Sequence, residues 1–344
     1  MQNPLSLIPY PIPLKGETMF IFKKARNPNQ TFNDLDAYIS GLGYDPVKFL
    51  AREVQSWGEF SYSELEAAIE AGRLDELIDW QKRYAKVINE TLAPMWATAI
   101  AAAALKATRG KIILSDSDVD VKNWLRTHGG ELITNLSRES QKAIAQVILL
   151  IQSTNLYNPR EIAQQVRPLI GLSSQQTQAN FNYRQKIYQR YLERGASQSV
   201  ANRNADKAAL KYASSQHRYR AETITHTELA FAYNRGSYIG VQRAIRQGLM
   251  GRCEMVWSTA GTNRVCPRCM ALKDTVVGYT DESGVTIPPL HPRCRCTIIY
   301  NEVSAPKPLT SPATGDNLPR RGLAAGNIDT ITTAGSPPKE RFNA

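Results

Sequence analysis

Four of the five cysteines lie between Cys266 and Cys296, in two short runs, Cys266-Pro-Arg-Cys269 and His291-Pro-Arg-Cys294-Arg-Cys296. A Cys-x-x-Cys turn lets two thiolates reach one tetrahedral ion, and a second short knuckle supplies the other pair. Five candidates therefore compete for four positions. Cys266, Cys269 and Cys294 are the expected ligands, with either His291 or Cys296 completing the shell. Soft sulfur at this density suits Zn(II) rather than Mg or Ca, and the surrounding sequence is too short to bury much core unaided. One structural zinc ion explains both facts. The competing readings are reduced structural cysteines and a disulfide formed in an oxidising medium. An odd count and tight clustering favour metal over a disulfide framework.

The rest of the chain is organised around that module. With 344 residues and 42% apolar content, about two folded units plus irregular ends are expected. The predicted fold class is α+β: a mostly helical body, a small Cys/His-rich zinc-binding β module near the C-terminus, and a disordered tail. Residues 1–30 read as an irregular Pro-rich segment, 31–120 as an N-terminal helical region, 121–252 as the helical body, 253–300 as the zinc-knuckle module and 301–344 as the tail. Ala143, Ile144, Val147, Ile148 and Ile151 recur at helical spacing. Asn158-Pro159 opens a short helix that Gly171 closes, Ser173 or Ser174 caps a longer one running to Gly195, and another starts near Ser197. From Tyr219 to Gly248 the pattern gives one or two helices. The character then changes to β-type runs, CEMVWS, DTVVGY and CTIIY.

Composition narrows the function. Pro4, Pro9, Pro11 and Pro13 interrupt the apolar start, which argues against a secretory signal. Leu92 to Leu105 is apolar but only 14 residues long, short of the roughly 20 that a bilayer needs, so a buried Ala-rich helix is expected and no membrane anchor. The net charge is +11, and Ser173 to Arg252 carries thirteen Lys/Arg against Glu193, Asp206, Glu222 and Glu228. That excess is either a solvated helical surface or a face that meets nucleic acid or an acidic protein. Asp274, Asp281 and Glu282 between the knuckles have no spacing that demands catalysis. Arg220, Glu228 and Arg235 project from roughly one helical face, where an ion pair locking the helix to the β module is expected.

These residues carry a resemblance. Arg220-x-x-x-Ile224-x-x-Thr227-Glu228, Asn234-x-Gly236, Trp257 with Thr-Ala-Gly, and the two knuckles resemble the phage minor head proteins, the family of phage Mu gpF and SPP1 gp7. The segment from Trp124 through Ile170-Gly171-Leu172 and Asn182-Tyr183-Arg184 is similar to the helical part of that family. The likeness covers roughly Val121 to Tyr300, and the chain departs from the family pattern at His226 and Thr262.

The resemblance implies a structural protein of a tailed-phage capsid, acting in head morphogenesis and in DNA packaging or delivery, with no enzymatic activity. It implies a place in the virion, inside the capsid near the portal, and in the host cytoplasm during assembly. The implied partner is the portal protein, docked through 31–120, with the scaffolding or major capsid protein as further candidates and weak, non-specific DNA contact through the basic stretch and Arg264, Arg268, Arg293 and Arg295. The alternative is a zinc-dependent nuclease or another nucleic-acid-binding zinc protein.

Overall fold

The computed structural model of the chain describes residues 46–152, 158–259 and 265–303. The expected Pro-rich segment 1–30 and the tail from 304 onward lie outside the described residues, as does Arg264.

Helices α1 (Pro46–Ser56), α2 (Tyr62–Glu70), α3 (Leu74–Ile78) and α4 (Trp80–Val87) come first, and a π-helical turn at Ile88–Leu92 feeds α5 (Ala93–Ala107). Ser61 starts α2 through a capping box: its hydroxyl accepts from the Glu64 amide and the Glu64 carboxylate accepts from the Ser61 amide at 2.8 Å. Then come α6 (Val119–Gln152), α7 (Pro159–Val166) with a following 3-10 turn at Arg167–Leu169, α8 (Ser174–Glu193) and α9 (Gln198–Arg246). Asn158 caps α7, Ser173 caps α8 by a second capping box with Gln176, and Ser197 caps α9. Gly171, Gly195 and Gly248 end the preceding helical segments at positive φ. The region from Ser197 to Gly248 is thus a single helix of 49 residues, roughly 70 Å long.

The Ala-rich stretch is α5, and its small side chains serve close packing. A Cβ on Gly236 of α9 would lie 2.4 Å from the Ile100 carbonyl oxygen, and one on Gly240 2.7 Å from the Ala104 Cβ. The two helices meet backbone to backbone along Gly236-x-x-x-Gly240. Among the described residues, no helix is long and apolar enough to cross a membrane.

The C-terminal module is an antiparallel sheet of β1 (Cys253–Ser258), β2 (Val276–Tyr279) and β3 (Thr297–Glu302), in the order β2-β1-β3, with a short helix α10 (Pro267–Ala271) after β1. Met255 faces Tyr300 and Ser258 faces Thr297 across the central pair. The first β-type run matches β1 along its whole length; the other two strands start later than DTVVGY and CTIIY suggest.

One continuous core runs from Leu50 to Tyr300, through Trp57, Trp80 and Trp96 of the early helices and Trp257 of the sheet. Within residues 46–120 most apolar side chains pack into this core, while Phe49, Tyr62, Ile113 and Val119 stay exposed. Two ionic contacts differ from the reading of the sequence: Arg220 and Glu228 pair with α6, not with the sheet module. Arg220 Nη2 is 2.8 Å from Glu139 Oε2, and Glu228 Oε2 is 2.6 Å from His128 Nε2, with both arms buried. The α6 partners lie 81 and 100 residues away along the chain, beyond any local pattern.

Candidate metal centre

Each knuckle is built by a local turn. Cys266 is the N-cap of α10, and its Sγ accepts from the Cys269 amide at 3.4 Å, so the Cys-x-x-Cys run folds back on its first sulfur. In the second knuckle the Cys294 amide donates to the His291 carbonyl at 3.0 Å, and Arg293 takes a left-handed φ of 56° to close the turn.

Together the turns bring all five candidates to one place. Cys266, Cys269 and His291 form one group, and Cys269, Cys294 and Cys296 a second; within each, the ligand atoms lie within 4.8 Å of one another. Cys269 belongs to both. His291 Nε2 is 3.1 Å from Cys266 Sγ and 3.4 Å from Cys269 Sγ, and Cys269 Sγ is 3.7 Å from Cys294 Sγ. A tetrahedral ion with Zn–S of about 2.3 Å and Zn–N of about 2.0 Å sets ligand–ligand edges of about 3.8 and 3.5 Å. The Cys269–His291 and Cys269–Cys294 edges, at 3.4 and 3.7 Å, lie close to these values, and the Cys266–His291 edge, at 3.1 Å, is shorter.

The protonation chemistry points the same way. The Cys294 thiol is pushed far down because the Cys269 and then the Cys296 thiols donate to its sulfur, and Cys269 is pushed far up by donating. The His291 imidazole is pushed up to about 9, first by its hydrogen bond with Cys294. A bound cation would take the place of the protons shared among these groups. His291 Nδ1 lies 2.9 Å from the Pro292 carbonyl, which accepts its proton and leaves Nε2 to face the sulfurs. Cys253, the fifth cysteine, stands apart: it is buried in β1, donates to the Gly251 carbonyl, and burial pushes its thiol up to about 11.

Helix α9 grips the module directly. The Arg293 amide donates to Thr227 Oγ1 at 3.0 Å, and the Arg293 guanidinium pairs with Glu222 at 2.6 Å. Asn234 Nδ2 donates to the Cys296 carbonyl, and Gln242 Nε2 to the Thr280 carbonyl. Of these, Thr227 and Asn234 stood out in the sequence; Glu222 and Gln242 are ordinary polar positions on a helix, visible as contacts only once the knuckle is placed.

The three loop acids do other work. Asp281 pairs with Arg252 at 2.8 Å, Glu282 accepts from the Tyr279 amide, and Asp274 is exposed beside Lys273. Among the described residues, neither group that could hold a metal includes a carboxylate.

Fold and site together define a helical protein with a small Cys/His sheet module that can hold a metal ion, clamped to one long helix. Residues 157–299 match the model of the family described as Phage Mu protein F like protein, a family of phage head morphogenesis. The match bears out the resemblance read from the sequence and takes in α7 to α9, β1, β2 and all five candidate ligands; residues 121–156 lie outside it. No curated protein and no solved structure matches the chain.

Proposed function

We propose that the chain is a minor head protein of a tailed bacteriophage, carried in the virion near the portal, with one structural zinc ion that fastens its β module. The family match over 157–299 carries this reading, and the clustering of five ligand-type side chains in the matched segment supports its metal component. Cys266, Cys269, His291 and Cys294 would hold the ion, because the three short sulfur and nitrogen contacts lie among them. Cys296 is the reserve fifth ligand. A shell of four protein ligands leaves no position for an activated water, so the protein acts without catalysis.

The portal is the proposed partner. Because most apolar side chains of α1 to α5 are buried in the common core, docking through this region would use their outer faces, which are mainly polar with Phe49 and Tyr62 exposed. DNA contact would be weak. Arg184, Arg220, Arg243, Arg246 and Arg252 are engaged in ion pairs, which leaves exposed cations such as Lys186, Lys211, Arg218 and Arg268. The test is purification of heads assembled with and without the portal. Retention of the chain only in portal-containing heads supports the reading; equal retention in both, or in neither, overturns it.

A further inference from the structure

A groove of about 1280 Å³ runs between α1, α2, α7, α8 and the first half of α9, well away from the β module. It is larger than the roughly 300–1,000 Å³ of small-molecule sites, which suits a peptide. Two of the exposed large apolar side chains, Tyr62 and Leu210, line it, and Tyr188 adds a second ring. Gln164, Gln185, Gln198 and Asn202 present side-chain amides along the same walls.

Its lining carries four cations, Arg167, Arg184, Arg203 and Lys207, against three anions, Glu59, Glu161 and Asp206, a formal surplus of one. Arg184 is paired with Asp206 at 2.7 Å, and Arg167 is held by the Gly58 carbonyl and stacked on Tyr62. The remaining lining charges, Arg203 and Lys207 against Glu59 and Glu161, cancel. A single surplus cation gives a polyanion little to bind. The chemistry on offer is tyrosine rings, an exposed leucine and amide donors, which is what an extended proline-rich backbone needs: its carbonyls are unpaired and its rings pack on aromatic faces.

We propose that this groove is the docking site of the chain's own residues 4–13. That stretch reads Pro-Leu-Ser-Leu-Ile-Pro-Tyr-Pro-Ile-Pro, and no charged side chain occurs before Lys15. A neutral, proline-rich, apolar segment complements a nearly neutral groove with amide and tyrosine walls. The connection is long enough. The 31 residues from 15 to 45 can reach at most about 100 Å, well beyond the roughly 16 Å of the 11-residue α1, whose Gln55 lines the groove. Tethering at that distance raises the local concentration of the segment without any added contact.

The experiment replaces Tyr10 of the full chain by the photo-crosslinker benzoylphenylalanine and maps the cross-links by mass spectrometry. The expected products join position 10 to peptides containing Tyr62, Tyr188 or residues 199–210, at the mass of one chain. Ser199 is an exposed groove residue, so Ser199→Trp should fill the groove, leave the melting temperature unchanged and lower the cross-link yield at least about tenfold. Cross-links elsewhere, none at all, products at the mass of two chains, or a yield indifferent to Ser199→Trp would each overturn the proposal.

Discussion

Replacing Gly236 by alanine tests the claim that α5 and α9 pack backbone to backbone. The added Cβ would lie 2.4, 2.5 and 2.8 Å from the carbonyl oxygen, Cα and carbonyl carbon of Ile100. All three are backbone atoms, so no rotamer change relieves the clash and the helices must part. Overpacking costs about 1–3 kcal/mol, and a clash with backbone alone places this case at the upper end, about 3 kcal/mol. Alanine's helix propensity returns about 1 kcal/mol, which leaves a net loss of about 2 kcal/mol. Gly130 of α6 is the control, because a Cβ there meets nothing within 4 Å, and Gly130→Ala should gain about 0.5–1 kcal/mol. Thermal melts of the two variants should therefore move in opposite directions, Gly236→Ala down by about 4–8 °C and Gly130→Ala up by about 1–4 °C. A neutral or stabilising Gly236→Ala would refute the close approach of these helices.

Three further outcomes follow from the site and its surroundings. His217 is buried, its Nε2 donates to the Pro168 carbonyl, and burial pushes its pKa down to about 4. The unfolded chain takes up this proton near pH 6.5 and the folded chain does not, so stability should fall by about 3 kcal/mol as pH drops from about 6.5 to 4; denaturant titrations should show this slope flattened in His217→Gln. Duplex DNA should bind weakly and without sequence preference, with the logarithm of affinity falling against log salt at a slope of roughly −3 to −5 for a handful of exposed cations; an affinity flat between low and physiological salt contradicts this. Metal-loaded protein incubated with supercoiled and single-stranded DNA in Mg, Mn and Zn buffers should leave both intact, and nicking that vanishes in Cys266→Ser would make the site catalytic.

What the sequence revealed was what local chemistry determines. Capping serines at 61, 173 and 197 and the positive-φ glycines at 171, 195 and 248 mark helix ends through hydrogen bonds or φ values within a few residues. Only Ser61 among them carried no mark in the sequence reading. The knuckles were legible for the same reason, since Cys-x-x-Cys is a turn before it is a metal site. Long-range pairing was not. Glu139 and His128 answer Arg220 and Glu228 from another helix; each partner is an ordinary polar residue until the fold places it. The alanine run of α5 was read as buried, but its purpose, admitting Gly236 and Gly240, depends on α9 lying against it.

The account rests most heavily on one structural zinc ion, and elemental analysis of the full chain purified without added metal tests it directly. About one equivalent of zinc per chain is predicted. Cys269 belongs to both ligand groups, so Cys269→Ser should lose the metal, while Cys253→Ser, whose thiol is bonded to the Gly251 carbonyl instead, should keep it. Metal-free protein that melts normally, or zinc retained in Cys269→Ser, would contradict the account.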